Sequence, residues 1–202
     1  MKSRHILECT FNEIAVRGIR HASVDSIAAR MHISKKTIYD LFENKEKLLL
    51  SSLKYKIGKI IEDISVFSQK NDNVLCSIID NTVYLFKFFN SVTPLLYEEI
   101  ALFPSIERYC ESVKSMLLDA GRKRVEEGKI GGYFRKDADF SIVGRLFESQ
   151  VLAMSKDNGE KYTPVQICFY SLMIILRGIC TDKGLKMIEE TVNEEYIERI
   201  LR

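Results

Sequence analysis

Proline and glycine are scarce: three and ten among 202 residues, so little interrupts a long helix. Strand-like alternation of useful length is missing, as is any repeat of fixed period. The longest strongly apolar stretch, Ile167 to Cys180, is broken by Arg177 and falls short of a membrane span. Met1-Lys2-Ser3-Arg4-His5 leads straight into an amphipathic pattern, without a continuous apolar segment or cleavage site. A cytoplasmic, membrane-free protein is therefore expected. The five cysteines (Cys9, Cys76, Cys110, Cys168 and Cys180) are odd in number and widely spaced, which argues against a disulfide framework or a zinc site. They read as small buried hydrophobes. Histidine stops at His32, which excludes a histidine-rich metal site in the rest of the chain. No GxSxG, P-loop, GxGxxG or HExxH pattern occurs, and no Cys/His/Asp grouping reads as a triad. No catalytic residue, metal or cofactor is expected, and the chain is not expected to be an enzyme.

What is present is ordinary for a folded globular chain: 46% hydrophobic and 29% charged residues. The net charge of +2 hides an asymmetry. Residues 1–60 carry twelve Lys/Arg against six Asp/Glu, and residues 61–202 carry eighteen against twenty-two. A basic head on a slightly acidic body suits a polyanionic partner, although a solvated charged face reads the same way.

Helical periodicity dominates. Leu7, Phe11, Ile14, Ala15 and Gly18 mark one face of a helix that Gly18 ends. Ser23 then caps a short helix bearing Val24, Ile27, Ala28 and Met31. After Met31-His32-Ile33, Ser34 caps a second short helix whose apolar side is Ile38, Leu41 and Phe42. Asn44 caps a long helix from Lys45 to about Gln69. Two short helices on a tight turn form a helix-turn-helix. Lys36, Thr37 and Asp40 point away from the apolar side, with Tyr39 at its edge, a composition suited to phosphates and base edges. A three-helix unit with a solvated surface shares this pattern.

Downstream, Lys70 to Asn73 reads as a loop, followed by a helix carrying Leu75, Ile78, Ile79, Thr82, Phe86 and Phe89. Pro94 and Pro104 each open a helix, and Gly128 to Gly132 is a break. Further helices are expected at roughly 138–154, 164–181 and Glu194 to Leu201, with a polar loop from Lys156 to Lys161. The fold class is all-α, with about nine or ten helices: a helix-turn-helix domain over 1–46 and a helical ligand-binding and dimerisation domain over 47–202.

The stretch from Ile6 to Leu49 resembles the DNA-binding domain of the tetracycline-repressor (TetR) family. Carrying this resemblance are Ile6-Leu7, Ile14 and Arg17-Gly18 on the first helix, and Ser23-Val24 and Ile27-Ala28 on the second. Ile33-Ser34-Lys35-Lys36-Thr37-Ile38-Tyr39, Phe42, Asn44-Lys45-Glu46 and Leu48-Leu49 continue it without a gap. Two positions depart from the family: Met31-His32 replaces a small residue and glycine in the turn, and Lys36 stands where glycine is common. Histidine tolerates a left-handed backbone better than most residues, so the turn is expected to persist.

The resemblance implies a ligand-released repressor that binds a palindromic operator in double-stranded DNA as a homodimer. An activator of the same fold, or a helical interaction module without sequence-specific DNA binding, are the alternatives. By matching positions, Ser23, Tyr39 and Lys45 meet phosphates, while Lys35, Lys36 and Thr37 sit at the major groove after the Ser34 cap. Lys36 is suited to guanine O6/N7 and Asp40 to cytosine N4, although an acid facing DNA reads equally as neutral or repulsive. The alternatives are that Tyr39 rests on the domain edge and that Lys45 is a solvated helix-start residue.

The last two long helices are the dimer candidates, since the resemblance implies an intersubunit four-helix bundle there. Gly144, Phe147, Val151, Phe169, Met173 and Leu176 are the expected interface residues, and a central place in the monomer is the alternative. Thr82, Glu99, Tyr109, Cys110 and Met116 interrupt apolar stripes and are candidate anchors for an unidentified small-molecule inducer. Glu99 hints at a cationic compound, while each residue alone reads more readily as ordinary core or helix surface than as an anchor.

Overall fold

The computed structural model describes residues 2–70, 73–154 and 161–201, with the side chains at 2, 69, 70, 147, 148 and 150–154 left undescribed. Among the described residues there are eleven helices. Strand structure is limited there to one isolated bridge between Phe134 and Cys180. The chain divides into two compact units: Met1–Asp63 with Ser91–Val113, and Ile64–Asn90 with Lys114–Arg202.

The first unit holds α1 (Lys2–His21), α2 (Val24–Met31), α3 (Lys35–Phe42), the N-terminal part of α4 (Lys45–Lys70), α6 (Pro94–Ile100) and the start of α7 (Pro104–Ile130). Its core joins Ile6 of α1, Val24, Ile27 and Ala28 of α2, Ile38 of α3 and Leu48 of α4. Each of the valine, leucine and isoleucine side chains contributes about 1.5–3 kcal/mol by leaving water. Gly18 interrupts α1 at φ 81, ψ 175, a region open essentially to glycine. The helix therefore breaks where the sequence pattern ends it, and one further turn runs to His21. Inside α1, the Thr10 hydroxyl donates to the Ile6 carbonyl at 2.7 Å, which satisfies a fully buried polar group.

The second unit holds the end of α4, α5 (Val74–Asn90), most of α7, α8 (Phe140–Met154), α9 (Pro164–Ile179), α10 (Asp182–Thr191) and α11 (Glu194–Leu201). Leu75, Ile79 and Val83 present one stripe of α5 to Phe169, Leu172, Met173 and Leu176 of α9, with Phe134 and Ile188 completing the core. Thr163 and Gln166 form a reciprocal capping box ahead of Pro164, which explains why α9 starts there. Of the expected loops, Asn71, Asp72 and residues 155–160 lie outside the described residues.

Two expectations change here. The break expected from Gly128 to Gly132 is shorter, because α7 continues to Ile130 and Gly132 makes the turn at φ 74. Helix α10 has no counterpart among the helices expected from the sequence. Thr181 caps this helix, accepting from the Gly184 amide at 3.3 Å. A Cβ at Gly184 would collide with the Tyr133 carbonyl, so the glycine serves close approach.

Candidate nucleic-acid interface

The turn between α2 and α3 is built from residues unusual in a turn. His32 takes the left-handed conformation, φ 52 and ψ 42, and its amide turns back to the carbonyls of Ala28 and Ala29. The Ile33 amide donates to Ala28 O at 3.0 Å, closing the end of α2. Histidine thus holds the backbone shape that glycine would hold, at a conformational cost of about 1–2 kcal/mol.

Ser34 then starts α3. Its Oγ accepts from the Thr37 amide at 3.0 Å and lies 2.9 Å from the Thr37 hydroxyl. Ile38 is fully buried and anchors the helix, so the opposite side stands in solvent. Ser34, Lys35, Lys36, Thr37, Tyr39 and Asp40 are all exposed. Leu41, expected on the apolar side, is 52% exposed. Eight residues make barely two turns, and Ile38 with half-buried Phe42 satisfies the one stripe that the supporting helices can cover. Lys35 is not a free cation, because its Nζ pairs with Asp25 Oδ1 of α2 at 2.5 Å.

Ser23 caps α2 by accepting from the Ser26 amide at 3.4 Å, and Asn44 caps α4 by accepting from the Lys47 amide at 2.9 Å. Lys45 is half-buried, its Nζ donating to the Arg20 carbonyl at 3.1 Å. Six of the eight expected DNA-contacting residues therefore share the start and outer side of α3. Ser23 and Lys45 sit at the first turns of α2 and α4.

Sequence reasoning missed the ion pairs that set these side chains. Glu13 is almost fully buried on α1 and pairs with Arg17 at 3.5 Å and Arg30 of α2 at 3.2 Å. The Asp25–Lys35 pair and the Lys47–Glu43 pair brace α3 and the start of α4. An acid four residues before a base flags Glu13–Arg17 and Glu43–Lys47; nothing local flags Glu13–Arg30.

The candidate ligand residues divide between the units. Glu99, Tyr109 and Cys110 belong to the first, Thr82 and Met116 to the second. Burial pushes the Tyr109 phenol and the Cys110 thiol up from their ordinary values. Met116 is 42% exposed, and Thr82 is half-buried. Glu99 is buried, and its Oε2 accepts from the Arg20 amide at 2.9 Å. This backbone bond occupies the acid that the sequence pattern offers to a cationic ligand.

Of the expected interface residues, Phe169, Met173 and Leu176 fill the second unit's own core. Helix α9 is apolar on nearly every side, so its pattern alone does not fix which side turns inward. The open side carries Tyr170 and Ile174, and α8 adds Ile142 and Leu146, all at least half exposed. Gly144 lies on α8 with its Cβ position 3.9 Å from Leu118. The side chains of Phe147 and Val151 lie outside the described residues.

No group of His, Cys, Asp and Glu suited to a metal occurs among the described residues, and no helix there is long and apolar enough to cross a membrane.

Residues 6–51 match the family model described as bacterial regulatory proteins, tetR family. Known structures share the fold over nearly the whole chain. A ketosteroid transcriptional regulator of Mycobacterium tuberculosis is 21% identical, covering 90% of this chain and 96% of its own at a TM-score of 0.65. A fatty acid degradation regulator from Bacillus halodurans is 22% identical, with coverage of 88% and 95% and a TM-score of 0.69. A putative transcriptional regulator from Saccharomonospora viridis, solved in complex with choline, is 19% identical, with coverage of 89% and 97% and a TM-score of 0.74. No curated protein matches the sequence.

Proposed function

From the match of residues 6–51 to the tetR family of bacterial regulatory proteins, we propose a ligand-released repressor that grips a palindromic operator as a homodimer. The observation that carries this reading is the outer side of α3: Ser34, Lys36, Thr37, Tyr39 and Asp40 stand exposed on a helix pinned by buried Ile38. A helix so supported fits the major groove, which is wide enough to admit it and displays a distinct donor and acceptor pattern for each base pair.

Lys36 and Asp40 are the base-reading candidates, one donating to guanine and the other accepting from cytosine. Thr37 and Lys35 flank them at the groove. Ser23, Tyr39 and Lys45 hold phosphates and set the register. Ser23 and Ser34 keep their capping bonds in this role, because a hydroxyl oxygen that accepts from an amide still has its hydrogen to donate.

One such head makes too few contacts for specific binding at physiological salt, and a symmetric pair doubles them. The open apolar side of α8 and α9, with Ile142, Leu146, Tyr170 and Ile174, is the surface that supports pairing, beside Gly144. Phe147 and Val151 extend the same proposal along α8. A small organic effector is supported by the Saccharomonospora neighbour, solved with choline. Tyr109 and Cys110 are the strongest anchors, half-buried groups whose protons burial retains. Effector binding releases DNA by favouring a dimer whose two heads no longer span adjacent grooves.

Hydroxyl-radical footprinting on the DNA flanking the chain's own gene tests the reading. The expected result is two protected patches related by two-fold symmetry and spaced by whole helical turns. Uniform cleavage at low salt contradicts it.

A further inference from the structure

We propose that Glu99 is a positioning residue for duplex binding, which acts through the backbone of Arg20 to set Lys45. This rests on the reading above, in which Lys45 meets a phosphate. The backbone of a single residue carries both bonds: the Arg20 amide donates to Glu99 Oε2 at 2.9 Å, and the Arg20 carbonyl accepts from Lys45 Nζ at 3.1 Å. Arg20 lies just past the break in α1, where Gly18 has left the helical path.

The break and the acid fit one another. A Cβ at Gly18 would stand 2.6 Å from Glu99 Oε2 and 3.2 Å from its Cδ, so a side chain there would push the carboxylate from its place, and φ 81 favours glycine in any case. Glu99 is 7% exposed, and a carboxylate so buried demands donors. Helix α6 is fastened on both sides of the break. The Thr93 amide at its start donates to the Ala15 carbonyl at 2.7 Å, and Glu99 near its end receives the Arg20 amide. The turn from 18 to 21 is thereby held, and with it the carbonyl to which Lys45 is tied.

The consequence for DNA binding lies in the lysine. An ammonium has three donors, so one bond to Arg20 leaves two for a phosphate. A long flexible stem loses rotamer freedom on meeting a phosphate, and the tether removes part of that freedom beforehand. Glu99 touches no DNA in this account. Its effect is read only through Lys45.

The test pairs Glu99→Gln, which loses the charge but keeps an oxygen within reach, with Glu99→Asp, which keeps the charge but retracts it by one methylene. Both are compared with Lys45→Ala and the double variant Glu99→Asp/Lys45→Ala. The readout is the salt dependence of binding to random-sequence duplex DNA between about 50 and 200 mM salt, where each lost phosphate contact flattens the log–log slope by about 0.9. Glu99→Asp and Lys45→Ala are expected to flatten the slope alike, the double variant no further, and Glu99→Gln not at all. A wild-type slope for Glu99→Asp beside a flattened Lys45→Ala overturns the inference and leaves the DNA-binding reading standing. Additive losses in the double variant, or a Gln variant as defective as the Asp variant, also overturn it. Absence of salt-dependent binding by the wild-type chain removes both readings together.

Discussion

The Ser34 hydroxyl accepts from the Thr37 amide at 3.0 Å, and the two side-chain oxygens lie 2.9 Å apart on the open side of α3. The same atoms thus begin the helix and face solvent where a duplex is proposed to bind. Ser34→Ala is expected to cost about 1 kcal/mol, the usual worth of such a cap, read as a lower urea midpoint. Ser34→Asp separates the two roles: a carboxylate caps as well as a hydroxyl and repels phosphate. Wild-type stability with weakened duplex binding is the expected outcome; unchanged binding removes Ser34 from the interface.

Gly18 holds φ 81, ψ 175 with the Glu99 carboxylate against its open face. Gly18→Ala therefore meets both backbone strain and a steric clash, and a loss of about 1–3 kcal/mol is expected from the strain alone. Denaturant unfolding with an unchanged m-value checks it. A variant as stable as wild type would show that the turn relaxes freely.

The alkaline limit of stability follows from buried acids. Burial pushes the Cys168 thiol up to about 12 and the Cys180 thiol to about 11, against an ordinary 9.0. The Tyr196 phenol is raised too, first by burial and then by its bond to Asp80, whose Oδ1 accepts at 2.6 Å. All three hold their protons more tightly folded than unfolded. Their contribution is complete below about pH 9 and is lost as pH rises through the folded values. Thermal unfolding at pH 8, 9, 10 and 11 should show a falling midpoint beyond pH 9. Cys168→Ala is expected to reduce that fall, and a flat profile counts against the assignment.

The open side of α8 and α9 yields a test of assembly. Ile174 is 72% exposed and Leu146 56% exposed, so a charge at either costs the folded chain little. Ile174→Glu and Leu146→Glu are expected to shift sedimentation from dimer to monomer with unchanged helix content. A dimer that survives both substitutions places the interface elsewhere.

The local parts of this structure were legible in the residues. Capping at Ser23, Ser34 and Asn44, the glycine ending of α1, and the proline starts of α6, α7 and α9 are all short-range signals that the structure reproduces. The strained turn at His32 was legible as well, because few residues accept that backbone. What escaped was long-range. Glu99 meets Arg20 across 79 positions, so no pattern along the chain reveals that bond. Phe169, Met173 and Leu176 turn inward because α5 offers Leu75, Ile79 and Val83, information absent from α9 itself. The close approach of Gly184 to the Tyr133 carbonyl is likewise invisible along α10 itself.

The central claim is that the outer side of α3 meets a duplex, and fluorescence anisotropy with labelled duplex DNA across about 50 to 200 mM salt tests it most directly. Wild-type binding is expected to weaken steeply with salt. Tyr39→Ala and Lys36→Ala should bind less tightly at every concentration, and Lys36→Ala, having lost a cation, should show the shallower slope. Variants that bind as wild type does, or a wild-type chain indifferent to salt, contradict the account.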